Sequence, residues 1–163
     1  DETLYRLFDA DKQKAVAILN IDRENTKPRK DIAKWSEVLD YVSYFYNETY
    51  KENYTLPENI APEDAAAIAS EYKKIFDVTD DKQVWFDKIK AMCEPLGFTP
   101  NVKEYKQNPD SYKGHVGDVS TVIRIALTGR TNTPDLHSII AVLGTDEVKA
   151  RLEKAEKKFK EEK

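Results

Sequence analysis

Residues 122–144 read VIRIALTGRTNTPDLHSIIAVLG, and this stretch decides the fold. Val122, Ile123, Ala126 and Leu127 repeat at helical spacing. Leu127-Thr128-Gly129 then supplies a stop, because glycine accepts the left-handed turn that ends a helix. After a short polar connection, Thr133 is placed to cap a second helix that opens at Pro134. Its apolar positions are Leu136, Ile139, Ile140 and Leu143, and Gly144 stops it. The spacing predicts two helices meeting at a corner. Arg124 lies on the first helix and Arg130 just past its end, followed by Asn132 and Thr133. Two planar guanidiniums, small polar groups and the amides of a helix start can together grip an unstacked nucleic acid. Asp135 answers the positive end of the second helix. Base edges, which mix donors and acceptors, therefore match the corner better than a bare phosphate. His137 adds a ring able to stack on a base.

Working outward, the helical period recurs almost everywhere. Lys12–Asn20 reads as a short amphipathic helix. Pro28 breaks the next stretch, and Asp31 is placed to cap a long helix whose stripe is Ile32, Trp35, Val38, Leu39, Val42, Phe45 and Tyr46, ending near Tyr50. Pro62 with Glu63 and Asp64 opens a helix faced by Ala65, Ile68, Ala69, Tyr72, Ile75 and Phe76. Thr79 or Asp80 caps the next one, faced by Trp85, Ile89, Met92, Cys93 and Leu96, with Gly97 as its stop. Residues 101–117 read as loop-rich. A last helix runs from Thr145 through Val148, Leu152, Ala155 and Phe159, and the charged end from Lys157 is expected to fray. No alternation lasts long enough for a sheet. The expectation is an all-α, multi-helical fold in two packed helical subdomains, residues 1–97 and residues 98–163, the second carrying the corner.

Composition narrows the function. With 40% hydrophobic and 34% charged residues the chain is of the globular class. No apolar run reaches the roughly 20 residues that span a bilayer, so no membrane partner is expected. Cys93 is the lone cysteine, which excludes an internal disulfide, suits a reducing cytoplasm and reads as a small buried hydrophobe. The start at Asp1 shows neither a signal peptide nor an initiator Met, and reads as a piece cut from something longer. A net charge of −4 argues against a protein coated in positive charge, but a local basic face depends on distribution. Arg23, Lys27, Arg29, Lys30 and Lys34 cluster early.

Catalytic signatures are missing from the sequence. There is no phosphate-binding glycine loop, no nucleophile elbow and no zinc-protease motif. His115 and His137 lack partners at ligand spacing, so no metal site and no catalytic residue is assigned. In Thr26–Asp31, Lys27, Arg29 and Lys30, with Lys34 beyond, read equally well as a solvated helix entry or as phosphate contacts that release counterions. Trp35 belongs to the apolar stripe, where core packing is preferred to base stacking.

RIALTGRTNTPDLHSIIAVLG at 124–144, with KGHVGDVSTV before it and PRKDIAKWSEVLDYVSYFY at 28–46, resembles the C-terminal anticodon-binding region of bacterial glutamyl-tRNA synthetases. The likeness runs from about Leu7 to Leu152. It implies an all-helical cage around a tRNA anticodon loop, and membership of an ATP-dependent class I ligase. Carried over residue by residue, it implies anticodon contacts at Arg124, Asn132, Thr133, Pro134, Leu136 and His137, beside Arg130. The family commonly has an aromatic residue where His137 stands. The catalytic HIGH and KMSKS motifs are absent here, so the resemblance places the catalytic half before Asp1. ATP and Mg are implied for that half and no cofactor for this chain. Its implied partners are tRNA(Glu) and the catalytic domain of the same polypeptide, in a cytoplasmic monomer. The rival reading is a helical protein–protein module using the tyrosine-rich stretch from Tyr41 to Tyr50, with Tyr44 and Tyr50 at the contact.

Overall fold

The computed structural model describes residues 1–27, 30 and 32–162. The chain break expected at Pro28, the cap at Asp31 and the phosphate contact at Arg29 lie outside the described residues. Among the described residues the α-helices are α1 (Glu2–Ala10), α2 (Lys12–Asn20), α3 (Val38–Val42), α4 (Pro62–Ile75), α5 (Lys82–Cys93), α6 (Val102–Gln107), α7 (Val116–Thr128), α8 (Leu136–Leu143) and α9 (Thr145–Glu161). Extended pairing among these residues amounts to one isolated bridge between Thr99 and His115. The fold is all-α. No helix among the described residues is long and apolar enough to cross a membrane.

One apolar cluster is built from α4, α5, α7 and α9. Helix α4 presents Ala65, Ala66 and Ala69, all fully or nearly buried. Their small side chains let α9 lie close, with Val148, Leu152, Ala155 and Phe159 forming its inward stripe. Where α5 meets α4, Trp85 Nε1 donates to the Tyr72 hydroxyl at 3.1 Å, so the buried indole keeps its hydrogen bond. Helix α7 runs through the middle and buries residues on nearly every side. This cluster continues across residues 97 and 98 without a gap, taking in Cys93 and Phe98 alike. Burial pushes the Cys93 thiol up to about 11, helped by the charge on Glu94, and its Sγ donates to the Ile89 carbonyl at 3.3 Å. A second cluster gathers α1, α2 and residues 38–46, and Ile139 of α8 joins it.

The long helix expected from Ile32 to Tyr50 is not formed. Only α3 is α-helical there, between 3-10 turns at Trp35–Glu37 and Ser43–Phe45. Tyr44, Phe45 and Tyr46 are all buried here. The chain tightens and then extends at Tyr46. Smaller departures have local causes. Asp81 and Asp135 cap α5 and α8 in place of Thr79 or Asp80 and Thr133, each carboxylate accepting an amide at 2.9 Å. Residues 101–117 hold α6, because Asn101 Oδ1 accepts the amides of Lys103 and Glu104. The charged end stays helical to Glu161: Phe159 is fully buried, its ring 5.9 Å edge-on from Tyr54, and Lys160 pairs with Glu156 at 2.6 Å.

Arg151 ties these parts together. Its side chain is 5% exposed. Nη1 donates to the Tyr44 and Leu127 carbonyls, each at 2.6 Å. Nε donates to Glu147 at 2.7 Å, and the guanidinium lies 4.0 Å from the Tyr50 ring centre. Leu127 is in the last turn of α7, where carbonyls lack helical partners and the dipole favours a cation. Beyond it Gly129 turns left-handed at φ +69°, and a Cβ there would meet the Lys51 carbonyl oxygen at 3.1 Å and the Asn53 nitrogen at 3.2 Å.

Replacing Arg151 with Met should therefore cost on the order of 3 kcal/mol, since it strands two buried carbonyls and Glu147. Urea unfolding of the chain measures this, and a loss of under about 1 kcal/mol would contradict the role assigned to Arg151. Gly129→Ala should cost about 1–2 kcal/mol from backbone strain with added crowding. A neutral result would mean that the turn relaxes freely.

Candidate nucleic-acid interface

The corner between α7 and α8 is held from inside. Arg124 Nη1 donates to the Pro134 carbonyl at 2.9 Å and to the Thr133 hydroxyl, with a longer approach to the Thr133 carbonyl at 3.4 Å. Thr133 Oγ1 also reaches the Pro134 carbonyl oxygen at 2.8 Å. Thr133 and Pro134 are buried by residue and Arg124 is half-buried. One guanidinium thus fixes the path of the loop before α8 begins. On the other side of Gly129, Thr128 Oγ1 donates to the Arg124 carbonyl at 2.7 Å and accepts the Arg130 amide at 3.2 Å.

Arg130 faces outward onto the 38–46 segment. Its Nη2 donates to the Asp40 carbonyl at 2.8 Å and to the carboxylate at 3.1 Å, and reaches Ser43 Oγ at 3.2 Å. The guanidinium lies 5.3 Å from the Tyr44 ring centre. Beside this bridge opens a groove of about 310 Å³ lined by Glu37, Asp40, Tyr41, Tyr44, Arg130, Asn132, Thr133 and Pro134. Its wall mixes carboxylate oxygens, a guanidinium, an amide and aromatic rings, a set that suits a base edge better than a lone anion.

The helix start itself offers fewer open amides than its sequence suggests. The Asp135 amide donates to Asp22 Oδ2 at 2.9 Å, and the Ser138 amide donates to Asp135 Oδ2 at 2.9 Å. Asp22 sits at φ +62°, a left-handed position that aspartate tolerates. Burial raises the Asp135 carboxyl, but Lys82 at 2.8 Å and the bonds from Ser138 outweigh it and leave it below the ordinary range.

The other predicted residues are placed differently from one another. Leu136 is 1% exposed and belongs to the core. His137 Nε2 lies 2.7 Å from the Asp80 carbonyl oxygen, and its ring centre is 5.6 Å from that of Trp85, so it braces α8 on α5. Asn132 is exposed on the groove. Lys27, Lys30 and Lys34 are exposed. They lie on a stretch that leaves the corner at Asp22, bonded to Asp135, and returns to it at Glu37. His115 is an N-cap: its Nδ1 accepts the Gly117 amide at 2.9 Å. No group of three metal-binding side chains occurs among the described residues.

Trp35 departs furthest from expectation. Placed in the apolar stripe by its spacing, it is 87% exposed, since the helix that would have turned it inward does not form. Tyr44 is 2% exposed and Tyr50 is half-buried against Arg151, which turns the tyrosines of the interface reading toward the core. Arg151, Asp22 and Asp40 were not legible as corner residues, because each acts on a partner at least 24 positions away. The one local signal was the Glu147–Arg151 spacing of a helical ion pair.

A family model described as an anticodon binding domain matches residues 104–156. The glutamate–tRNA ligase of Clostridium beijerinckii is 42% identical over 159 residues, covering 94% of this chain and 29% of that protein. Those of Acetivibrio thermocellus and Sorangium cellulosum are 38% and 37% identical, each covering 93% of this chain and 28% and 27% of theirs. The chain thus spans under a third of the length of these relatives. This all-α chain carries an anticodon binding domain match over residues 104–156 and is similar, over nearly its whole length, to one part of these glutamate–tRNA ligases.

Proposed function

We propose that this chain reads the anticodon loop of tRNA(Glu) within a cytoplasmic, monomeric glutamate–tRNA ligase, whose catalytic domain supplies the ATP- and Mg-dependent chemistry. The observation that carries the reading is the groove at the corner: Arg130, Asn132, Thr133 and Pro134 form one wall, and Glu37 to Tyr44 the other. Unpaired RNA bases are recognised on their edges by such mixed donors and acceptors. Arg130 and Asn132 face the entering bases, with Thr133 and Pro134 forming the floor. Arg124 holds that floor at the height a base requires. Leu136 and His137 act beneath it, Leu136 by packing and His137 by fixing α8 against α5. The exposed cations Lys27, Lys30 and Lys34, with Arg29, meet the phosphates of the loop, where each neutralised phosphate releases a counterion.

The two groups of residues predict different losses. Arg124→Ala should weaken binding of tRNA(Glu) by about 1–3 kcal/mol and blur discrimination against a tRNA with a swapped anticodon. Lys30→Ala should weaken both tRNAs alike and lower the salt slope by about one. Anisotropy titrations of the chain with the two tRNAs across a salt series separate these outcomes. Equal binding of both tRNAs by the unaltered chain would refute anticodon reading.

A further inference from the structure

Trp35 carries an inference of its own. The chain has two tryptophans. Trp85 is buried and hydrogen-bonded to Tyr72, whereas Trp35 has a side chain open to solvent beside polar neighbours. Its backbone is nevertheless held firmly. Glu37 Oε2 accepts the Ala33 amide at 2.8 Å and the Lys34 amide at 3.1 Å, and the Glu37 amide donates to the Lys34 carbonyl at 3.0 Å. The Val38 amide closes the turn on the Trp35 carbonyl. A fixed pedestal thus presents an open indole.

The pedestal stands on the corner. Glu37 lines the groove described above, while Ser36, from the same turn, lines a second groove of about 640 Å³. Asp40, Tyr44 and Arg130 line both. Trp35 therefore belongs to the 3-10 turn whose next two residues line two grooves sharing the Arg130–Asp40 bridge, and its backbone is roughly 4 Å of helical rise from Glu37. Lys34 precedes it and is exposed. An aromatic face with cations at its side, next to a wall that suits base edges, is the arrangement by which unpaired nucleotides are held. A protein-binding tryptophan would instead sit within a patch of apolar neighbours that exclude water. Here the residues on either side of it in sequence, Lys34, Ser36 and Glu37, are polar and exposed.

We propose that Trp35 is a stacking platform for an unpaired RNA base, adjacent to the bases read in the groove. The proposal rests on the anticodon-loop reading and adds to it a residue that recognises a base by its face and not its edge. Stacking is tolerant of base identity, so Trp35 contributes affinity without discrimination, and no phosphate is neutralised by it.

The test is a titration of the chain with a 17-nucleotide hairpin carrying the tRNA(Glu) anticodon loop, following tryptophan emission and its quenching by acrylamide. Trp35→Phe supplies the Trp85 background. Binding should quench the Trp35 emission and shield it from acrylamide. Trp35→Ala should weaken binding on the order of tenfold with an unchanged salt slope, and Trp35→Phe should recover most of the loss. If Asn132→Ala weakens binding while Trp35→Ala binds like the parent and the emission is unmoved, stacking is refuted and the anticodon reading stands. If the parent chain binds no hairpin at all, both fall. Loss of self-association in Trp35→Ala, with RNA affinity intact, would mark a protein contact and overturn the proposal.

Discussion

A buried guanidinium holds together the parts of this domain that the apolar core alone would leave loosely related. Arg151 projects from α9, yet its partners are the last turn of α7 and the Tyr44 carbonyl of an irregular segment. Burying a cation is costly unless its donors are used. Here carbonyls, a carboxylate and an aromatic face surround it. The arrangement matters beyond stability. Leu127 is two residues before Gly129, where the chain turns toward the corner, and Tyr44 lines the groove. Both walls of the groove are thereby referred to one rigid point.

The corner itself follows the same logic of inward restraint. Arg124 and Arg130, conspicuous as potential RNA ligands in a sequence of net charge −4, each have protein partners. Arg124 secures the loop before α8, and Arg130 bridges to Asp40. A site assembled this way keeps its shape before a ligand arrives, which lowers the ordering cost of binding. It also carries acidic groups. Asp40 and Glu37 beside Arg130 make a surface that would repel an unspecific polyanion but can accept hydrogen bonds from base amino groups. In the proposed reading, affinity and discrimination are divided between different residues, with the exposed lysines serving the first.

How much of this was legible depended on range. The LTG stop, the second helix after it and the small polar residues between them are local features, and the corner they announce is present. The inward stripes of α4, α5 and α9 were also readable, since each repeats at the helical period over several turns. Residues 32–50 misled because their apolar spacing fits a helix equally well. In the structure Tyr44, Phe45 and Tyr46 are all buried and the backbone extends at Tyr46. Trp35, in a 3-10 turn outside α3, lies at the surface. His137 looked free to stack, and its engagement with Asp80 and Trp85 depends on α5, more than 50 positions earlier.

By itself the sequence determined the all-helical class, most helix stops and the position of the corner. All of these rest on residues within a few turns of one another, where propensity, capping and periodicity act. Tertiary structure alone decided that Asp22 reaches the Asp135 amide, that Arg151 binds the end of α7, and that Trp35 faces outward. Those outcomes follow from pairing and burial between distant segments. A polar atom takes the partner that packing places beside it, and a side chain is hidden or exposed according to whether a neighbouring element covers it.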